Sequence, residues 1–423
     1  MSLLSQQFYY NTNAGPHYED ISRLPNTAPT HYPVKLIAYY LPQFHPIEHN
    51  NRAWSLGFTE WTNVTKALPR YVGHYQPKLP GELGFYDLRQ AHTLRRQAEL
   101  ALLGGIYGFC FHNYWFGGER VLDTPLGVLL RDKSIPMRFC LNWANENWTR
   151  RWDGSENEII VAQAHSADDD LAYAESMLPA IDDSRYIRID GRPLIMLYRP
   201  AILPDAAATV DRWRSFFTKL GYGNPYIVMS EAFHGGDPLR YGMDAAAGFP
   251  PHNLYQENLV NRLRKLDHAY QGEAFSYDRV MKQAVAGLKQ SPTTFPGVMP
   301  GWDNEARKPG RGTSFFGSTP AKYGTWLKAA AQHSESTNSI HERLVFINAW
   351  NEWAEGAYLE PDRHFGYAYL AETARVLSAL SGEEEGRGLR PGTNTNFDAN
   401  PSSLNRVRNK AISLSRRTLG TRT

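Results

Sequence analysis

The chain has 423 residues, 42% of them hydrophobic, and Lys plus Arg (45) nearly cancels Asp plus Glu (43), leaving a net charge of +2. That is too apolar for a wholly disordered chain and too balanced for a polyanion binder, so no nucleic-acid partner is expected. The only two cysteines, Cys110 and Cys140, each sit inside an apolar run, which leaves nothing for a disulfide framework or a zinc cluster and reads as two small core residues.

Residues 1–33 are polar and rich in Pro and Asn, and read as a flexible N-terminal segment. They lack a basic start, a long apolar stretch and a small-residue cleavage site, and no run of about 18 apolar residues occurs anywhere, so a cytoplasmic chain without a transmembrane segment is expected. From residue 34 to 381 short apolar runs alternate with helical patterns. The candidate strands are "KLIAYY" from Lys35, "YGFCFHNYW" from Tyr107, "MRFCLNWA" from Met137, "PLIMLY" from Pro193, "YIVMS" from Tyr226, "DAAAGF" from Asp244, "PGVMPGW" from Pro296 and "RLVFINAW" from Arg343. Most are almost continuously apolar, as parallel strands covered on both faces must be. Between them, "DLRQAHTLRRQAELALLGG" stops on Gly104 and Gly105, "DDDLAYAESMLPA" carries acids in its first turn, and "AAATVDRWRSFFTKLGYG" ends on glycine. Eight strands with intervening helices predict an α/β fold, a closed (β/α)8 barrel of the TIM type, with an open doubly wound sheet as the alternative.

The barrel is favoured because nearly every apolar run turns polar or aromatic at its C-terminal end, and in a barrel all those ends meet at one mouth. The link after the first strand, from Leu41 to about Phe85, is too long to be idle and is expected to fold over that mouth. Residues 382–423 carry little that could be buried and read as a flexible basic tail. Its "RVRNKAISLSRRTLGTR" is either a solvated extension or, in the rarer case, a basic amphipathic helix meeting an acidic membrane surface.

The last strand runs into "NAWNEWAEG", so Glu352 and Glu355 leave the mouth three residues apart. If Trp350 and Trp353 shield one carboxylate more than the other, their pKa values separate and an acid and a base coexist near neutral pH. Glycosidic chemistry needs such a pair, one group for the leaving oxygen and one to assist displacement at the sugar. The plainer reading is that Asn351 caps a short helix and the glutamates are first-turn residues favoured by its dipole. Aromatic residues make up 13% of the chain, and Trp or Tyr rings can cover the apolar face of a pyranose while amides and carboxylates bond its hydroxyls. The candidate substrate-binding residues are therefore Tyr40, Gln43, His45, Glu60, Trp61, His112, Tyr114, Trp115, Asn142, Trp143, Asn145, Glu146, Tyr198, Glu231, Trp302, Trp350 and Asn351, with Trp148 and Arg151 beside them. No recognised metal-ligand spacing and no phosphate-binding glycine motif occurs, and no cofactor or metal is expected.

The stretches "AYYLPQFHPI", "GFTEWTNV", "GHYQPKLP", "LGFYDL", "GFCFHNYWF", "NWANENWTRRWDG" and "NAWNEWAEGAYLEPD", in this order, resemble the glycoside hydrolase family 99-like proteins, in particular the WbsX branch met in bacterial polysaccharide-biosynthesis loci. The resemblance spans about Lys35 to Leu380 and implies a (β/α) barrel. It further implies a retaining mechanism in which Glu352 acts as base on the sugar's own 2-hydroxyl, giving a 1,2-anhydro sugar, while Glu355 protonates the leaving group. One departure matters: the family's hydrolases carry His where this chain has Ala354, so the contacts around the pair differ. The expected activity is making or breaking a glycosidic bond of an oligosaccharide or polysaccharide in O-antigen-like surface polysaccharide metabolism. The alternatives are a glycosyltransferase using a nucleotide-sugar donor and a non-catalytic glycan-binding barrel. Sugar, linkage, acceptor and oligomeric state are not legible in the sequence.

Overall fold

The computed structural model describes residues 2–150, 155–233, 236–288 and 293–382. Eight parallel strands form one sheet: β1 (Lys35–Tyr40), β2 (Ile106–Phe116), β3 (Arg138–Trp143), β4 (Arg192–Leu197), β5 (Tyr226–Glu231), β6 (Ala245–Gly248), β7 (Thr294–Phe295 and Gly297–Val298) and β8 (Leu344–Ile347). All eight expected strands are present. Neighbours in sequence are neighbours in space, and β8 pairs back onto β1 with Lys35 opposite Leu344, so the sheet is a closed (β/α)8 barrel.

Closure runs through β7, where Pro296 divides the strand. Its first half pairs with β6 and its second half with β8, and the Pro296 carbonyl accepts from Phe346 N at 2.9 Å. Glycines make this seam possible. A Cβ on Gly297 would stand 2.2 Å from the Gly248 carbonyl oxygen, and one on Gly248 would stand 2.6 Å from Gly297 N. Gly248, which ends the strand within "DAAAGF", is thus what lets the neighbouring strand approach.

Helices Ala91–Leu103, Thr124–Arg131, Ala167–Ser176, Ala206–Lys219, Tyr277–Gly287, Pro320–Thr337 and Ala368–Leu380 cover the outside, each burying one face against the sheet. Cys110 and Cys140 lie opposite one another on β2 and β3, buried and unbridged. The segment before β1 carries the helix Leu3–Asn11. Asn11 Nδ2 donates to the carbonyls of His74 and Gln76 at 2.8 Å each, and Glu19 pairs with Arg375 on the final helix. The basic tail from residue 383 lies outside the described residues, among which no helix is long and apolar enough to cross a membrane.

Candidate active site

The strand ends meet in a cleft of about 360 Å³ at the C-terminal face of the barrel, and the segments leaving all eight strands contribute to it. Gln43 follows β1, His112 and Tyr114 end β2, Glu146 and Trp148 follow β3, Tyr198 follows β4 and Phe233 follows β5. Phe249 and His252 follow β6, Trp302 and Arg307 follow β7, and Glu352 and Glu355 follow β8.

The local chain after β8 explains the position of the two glutamates. Asn351–Glu352 pairs antiparallel with Ala357–Tyr358, and the turn between them is a single 3-10 turn, Trp353–Glu355, closed by Gly356 at φ +60°. Glu352 therefore lies on the hairpin strand and Glu355 at the end of its turn, and both reach the cleft. Beneath them Trp353 stacks on Tyr358 at 3.9 Å between centroids and donates from Nε1 to Glu360 at 2.6 Å. Glu360 also accepts from Gln97 and Tyr86, and burial pushes its pKa up to about 7. The Asn351 side chain does not cap a helix. It accepts from Leu41 N at 2.8 Å and donates to Leu41 O at 3.0 Å, tying the hairpin to the end of β1.

One cation organises the acids. Arg307, on the loop after β7, pairs Nη1 with Glu355 Oε1 and sets Nη2 3.1 Å from Glu352 Oε2 and 3.2 Å from Glu60 Oε1. Three carboxylates thus face one guanidinium, whose own pKa they raise. The two candidate catalytic groups differ in surroundings: the Glu352 side chain is 8% exposed, that of Glu355 25%. Burial is the largest influence on Glu352 and, reinforced by Glu355 and Glu60 against the opposing pull of Arg307, raises its pKa from 4.5 to about 8. Burial also raises Glu60, again against Arg307. Trp302 Nε1 donates to Glu355 Oε2 at 3.3 Å. His112 Nε2 stands 4.0 Å from Glu352 Oε1, and burial lowers its pKa to about 4, so near neutral pH it faces the acid as neutral imidazole.

Of the residues singled out in the sequence, Gln43, His112, Tyr114, Glu146, Tyr198 and Trp302 line the cleft with the two glutamates, as does Trp148, which stacks on Tyr114. The others do not. Tyr40 points away from the barrel interior and donates to Gln97 on the covering helix; its neighbour Tyr39 is the residue that stacks on His112. Trp143 is fully buried against Tyr173, Trp115 is buried and donates to Asp169, and Trp350 is fully buried against Phe109. Trp61 packs on Trp353 and donates to the Tyr86 carbonyl. These rings build the floor and walls and cannot stack on a ligand. His45 is buried away from the cleft lining, and Glu60 acts from behind Arg307. Asn142 lies beneath His112 at 3.5 Å, Asn145 exchanges bonds with the Arg199 backbone, and Glu231 accepts from Thr294. Arg151 lies outside the described residues. Sequence reasoning missed Arg307; the signal available was the polar loop "GWDNEARKPGRG" after an apolar strand, combined with the need of a dry carboxylate cluster for a cation.

The comparisons agree with this architecture. Solved structures of a glycoside hydrolase-like protein (15% identical, TM-score 0.54, covering 84% of this chain and 96% of that one) and of the GH99 endo-alpha-mannosidase from Bacteroides thetaiotaomicron (14% identical, TM-score 0.53, 82% and 98%) share the barrel fold. The uncharacterized protein WxcX from two strains of Xanthomonas campestris pv. campestris is 43% identical over 350 residues, 83% of this chain and 50% of the relative. The chain thus spans about half the length of the curated relatives it matches. Residues 36–373 match the family described as Glycosyltransferase WbsX, and the chain belongs to that family.

Proposed function

We propose that this protein is a carbohydrate-active enzyme that makes or breaks a glycosidic bond in the barrel cleft, with Glu352 and Glu355 as its acid-base pair. The observation that carries the reading is the shared guanidinium: Arg307 brings the two carboxylates to one aromatic-walled cleft in unequal surroundings. A glycan-binding barrel without chemistry has no use for two cleft-lining carboxyl groups held on one guanidinium in such unequal surroundings. The setting is surface polysaccharide metabolism in the cytoplasm, on an oligosaccharide or polysaccharide, and the α-mannosides acted on by the structural neighbour are the first substrates to try.

In the role order implied by the family resemblance, Glu352 takes the proton of the sugar's 2-hydroxyl as that oxygen attacks C1. The bond from C1 to the leaving oxygen breaks as Glu355 protonates it. Glu355, now a carboxylate, then deprotonates the water or acceptor hydroxyl that opens the 1,2-anhydro ring at C1, and O2 recovers its proton from Glu352. Each assisted proton transfer contributes about 10²–10⁴-fold. The charge distribution of the cleft favours a second order: the buried Glu352 holds the proton and Arg307 clasps Glu355, which suits Glu352 as the acid. The pH profile separates the two. As a base, Glu352 makes kcat/KM rise toward pH 8; as an acid, it makes kcat/KM fall above pH 8.

Nucleoside-diphosphate sugars with candidate acceptors, and α-mannosides, supplied separately, distinguish transfer from hydrolysis by nucleotide release or free reducing sugar. Glu352→Gln and Glu355→Gln each abolish whichever appears. Full activity in both variants refutes the pair.

A further inference from the structure

A second cavity, of about 280 Å³, shares Trp302 with the cleft. Its wall includes Tyr10 and His17 from the segment before β1, Tyr71 and Tyr75 from the long loop after β1, and Tyr369 from the last helix. It adjoins the acid-base pair through the backbone: Gly356, which lines it, follows Glu355, and Asp303 N donates to Glu355 O at 2.5 Å.

Lys78 also lines this cavity. It is only 8% exposed, yet among the described residues its ammonium makes no hydrogen bond and no ion pair, and its neighbours are the ring faces of Tyr75 at 4.8 Å and Tyr358 at 5.8 Å. The carboxylates nearest in charge are engaged elsewhere. Asp303 accepts from Gln76 and pairs with His74 at 2.8 Å, and Asp362 accepts from the hydroxyls of Tyr75 and Tyr358 at 2.7 Å each. Burial pulls the pKa of Lys78 down. Gly356 leaves the ammonium its space, since a Cβ there would lie 2.7 Å from Lys78 Cε and 3.0 Å from Nζ. The ammonium nitrogen itself opens to the cavity, so its three protons are left to water or to a ligand lying there, while two tyrosine rings hold the cation in place.

We propose that this cavity is a distal subsite that holds one pyranose unit of the glycan whose linkage lies in the cleft, with sugar oxygens accepting from Lys78 and the apolar sugar face set against the exposed ring of Tyr10. The proposal rests on the reading of the cleft as a glycan site, and it gives the segment before β1 a part in substrate binding. A flat ring facing aromatic side chains and a polar edge facing a fixed donor is the pairing a pyranose offers.

The test is an array of neutral and uronate-bearing oligosaccharides of one to eight units, probed with the full chain, with Glu355→Gln to arrest turnover, with Lys78→Met, and with the exposed rim pair Tyr10→Ala/His17→Ala, which leaves the core untouched. The expected result is an affinity step of roughly tenfold between short and long members in the unaltered chain and in Glu355→Gln. Lys78→Met loses the step, the rim variant shrinks it, and one- and two-unit members bind the parent, Lys78→Met and the rim variant alike. A step in the uronate series alone makes a carboxylate the partner of Lys78; a step in both series makes it a hydroxyl. The same step in Lys78→Met and in the rim variant, or no dependence on length in any protein, overturns the subsite. Full turnover by Glu352→Gln and Glu355→Gln with the length step intact would instead sink the acid-base reading and leave the subsite standing.

Discussion

Glu352→Gln should make the protein more stable while abolishing its chemistry, and the gain should grow with pH. The folded-state pKa of Glu352 stands near 8 against an ordinary 4.5, so between those values the folded chain binds a proton that the unfolded chain does not. Stability then falls as pH rises, because the state that binds more protons is favoured by acid. The interval from 4.5 to about 8, at about 1.4 kcal/mol per pH unit, sets an upper limit of about 5 kcal/mol of destabilisation at pH 8. Water entering the open cleft relaxes part of that cost, and about 2 kcal/mol is the least expected. Glutamine has the shape of the protonated acid, so the gap between variant and parent begins near zero at pH 4.5. Denaturant titrations of both proteins at pH 5, 6, 7 and 8 measure it, and subtracting one curve from the other cancels the titrating groups that do not interact with Glu352. A gap that stays flat with pH, or a variant less stable at every pH, refutes the reasoning that burial dominates at this carboxyl.

Arg307→Met removes the partner of three carboxylates; activity should fall by at least about 100-fold and stability by about 3–5 kcal/mol at pH 8. Without the cation the folded-state pKa values of Glu60 and Glu352 climb further, so the loss should grow with pH; the share carried by Glu352 enters only above about pH 8, below which it is protonated in parent and variant alike, as paired denaturation curves would show. Gly297→Ala, whose Cβ would meet the Gly248 carbonyl at 2.2 Å, should cost about 3 kcal/mol or leave the chain insoluble. Gly287→Ala, with nothing within 4 Å of its Cβ at a helix end, should gain about 0.5–1 kcal/mol in the same assay. Ala354→His restores the residue found in the family's hydrolases, but Ala354 is fully buried; the substitution should lower the melting temperature without creating a new cleft contact.

The barrel was legible because each strand is covered on both faces and so reads as an apolar run, and the cleft because polar strand ends of a barrel converge. Which side chain at each strand end faces the cleft was not legible, for a geometric reason. Successive residues on a strand face opposite ways, so a one-residue step exchanges the barrel interior beneath the cleft for the helix-covered outside. Asn142 lies beside His112 while Trp143 turns to Tyr173; Tyr39 stacks on His112 while Tyr40 turns to Gln97. Several tryptophans that look like sugar platforms in the sequence are consequently walls. Arg307 and Lys78 come from long irregular loops, where periodicity carries no information, and only three-dimensional contact shows what they face.

The account depends most on a proton held by Glu352 beside a partner clasped by Arg307. Carbon-13 NMR of glutamate side-chain carboxyls, followed from pH 4 to 10 in the parent and in Glu352→Gln, observes that proton directly. One glutamate resonance should titrate near pH 8 and vanish in the variant. Glu360, raised to about 7, should titrate in both proteins; if no parent glutamate titrates near pH 8, or the resonance that does so survives in Glu352→Gln, the acid-base pair as described here does not exist.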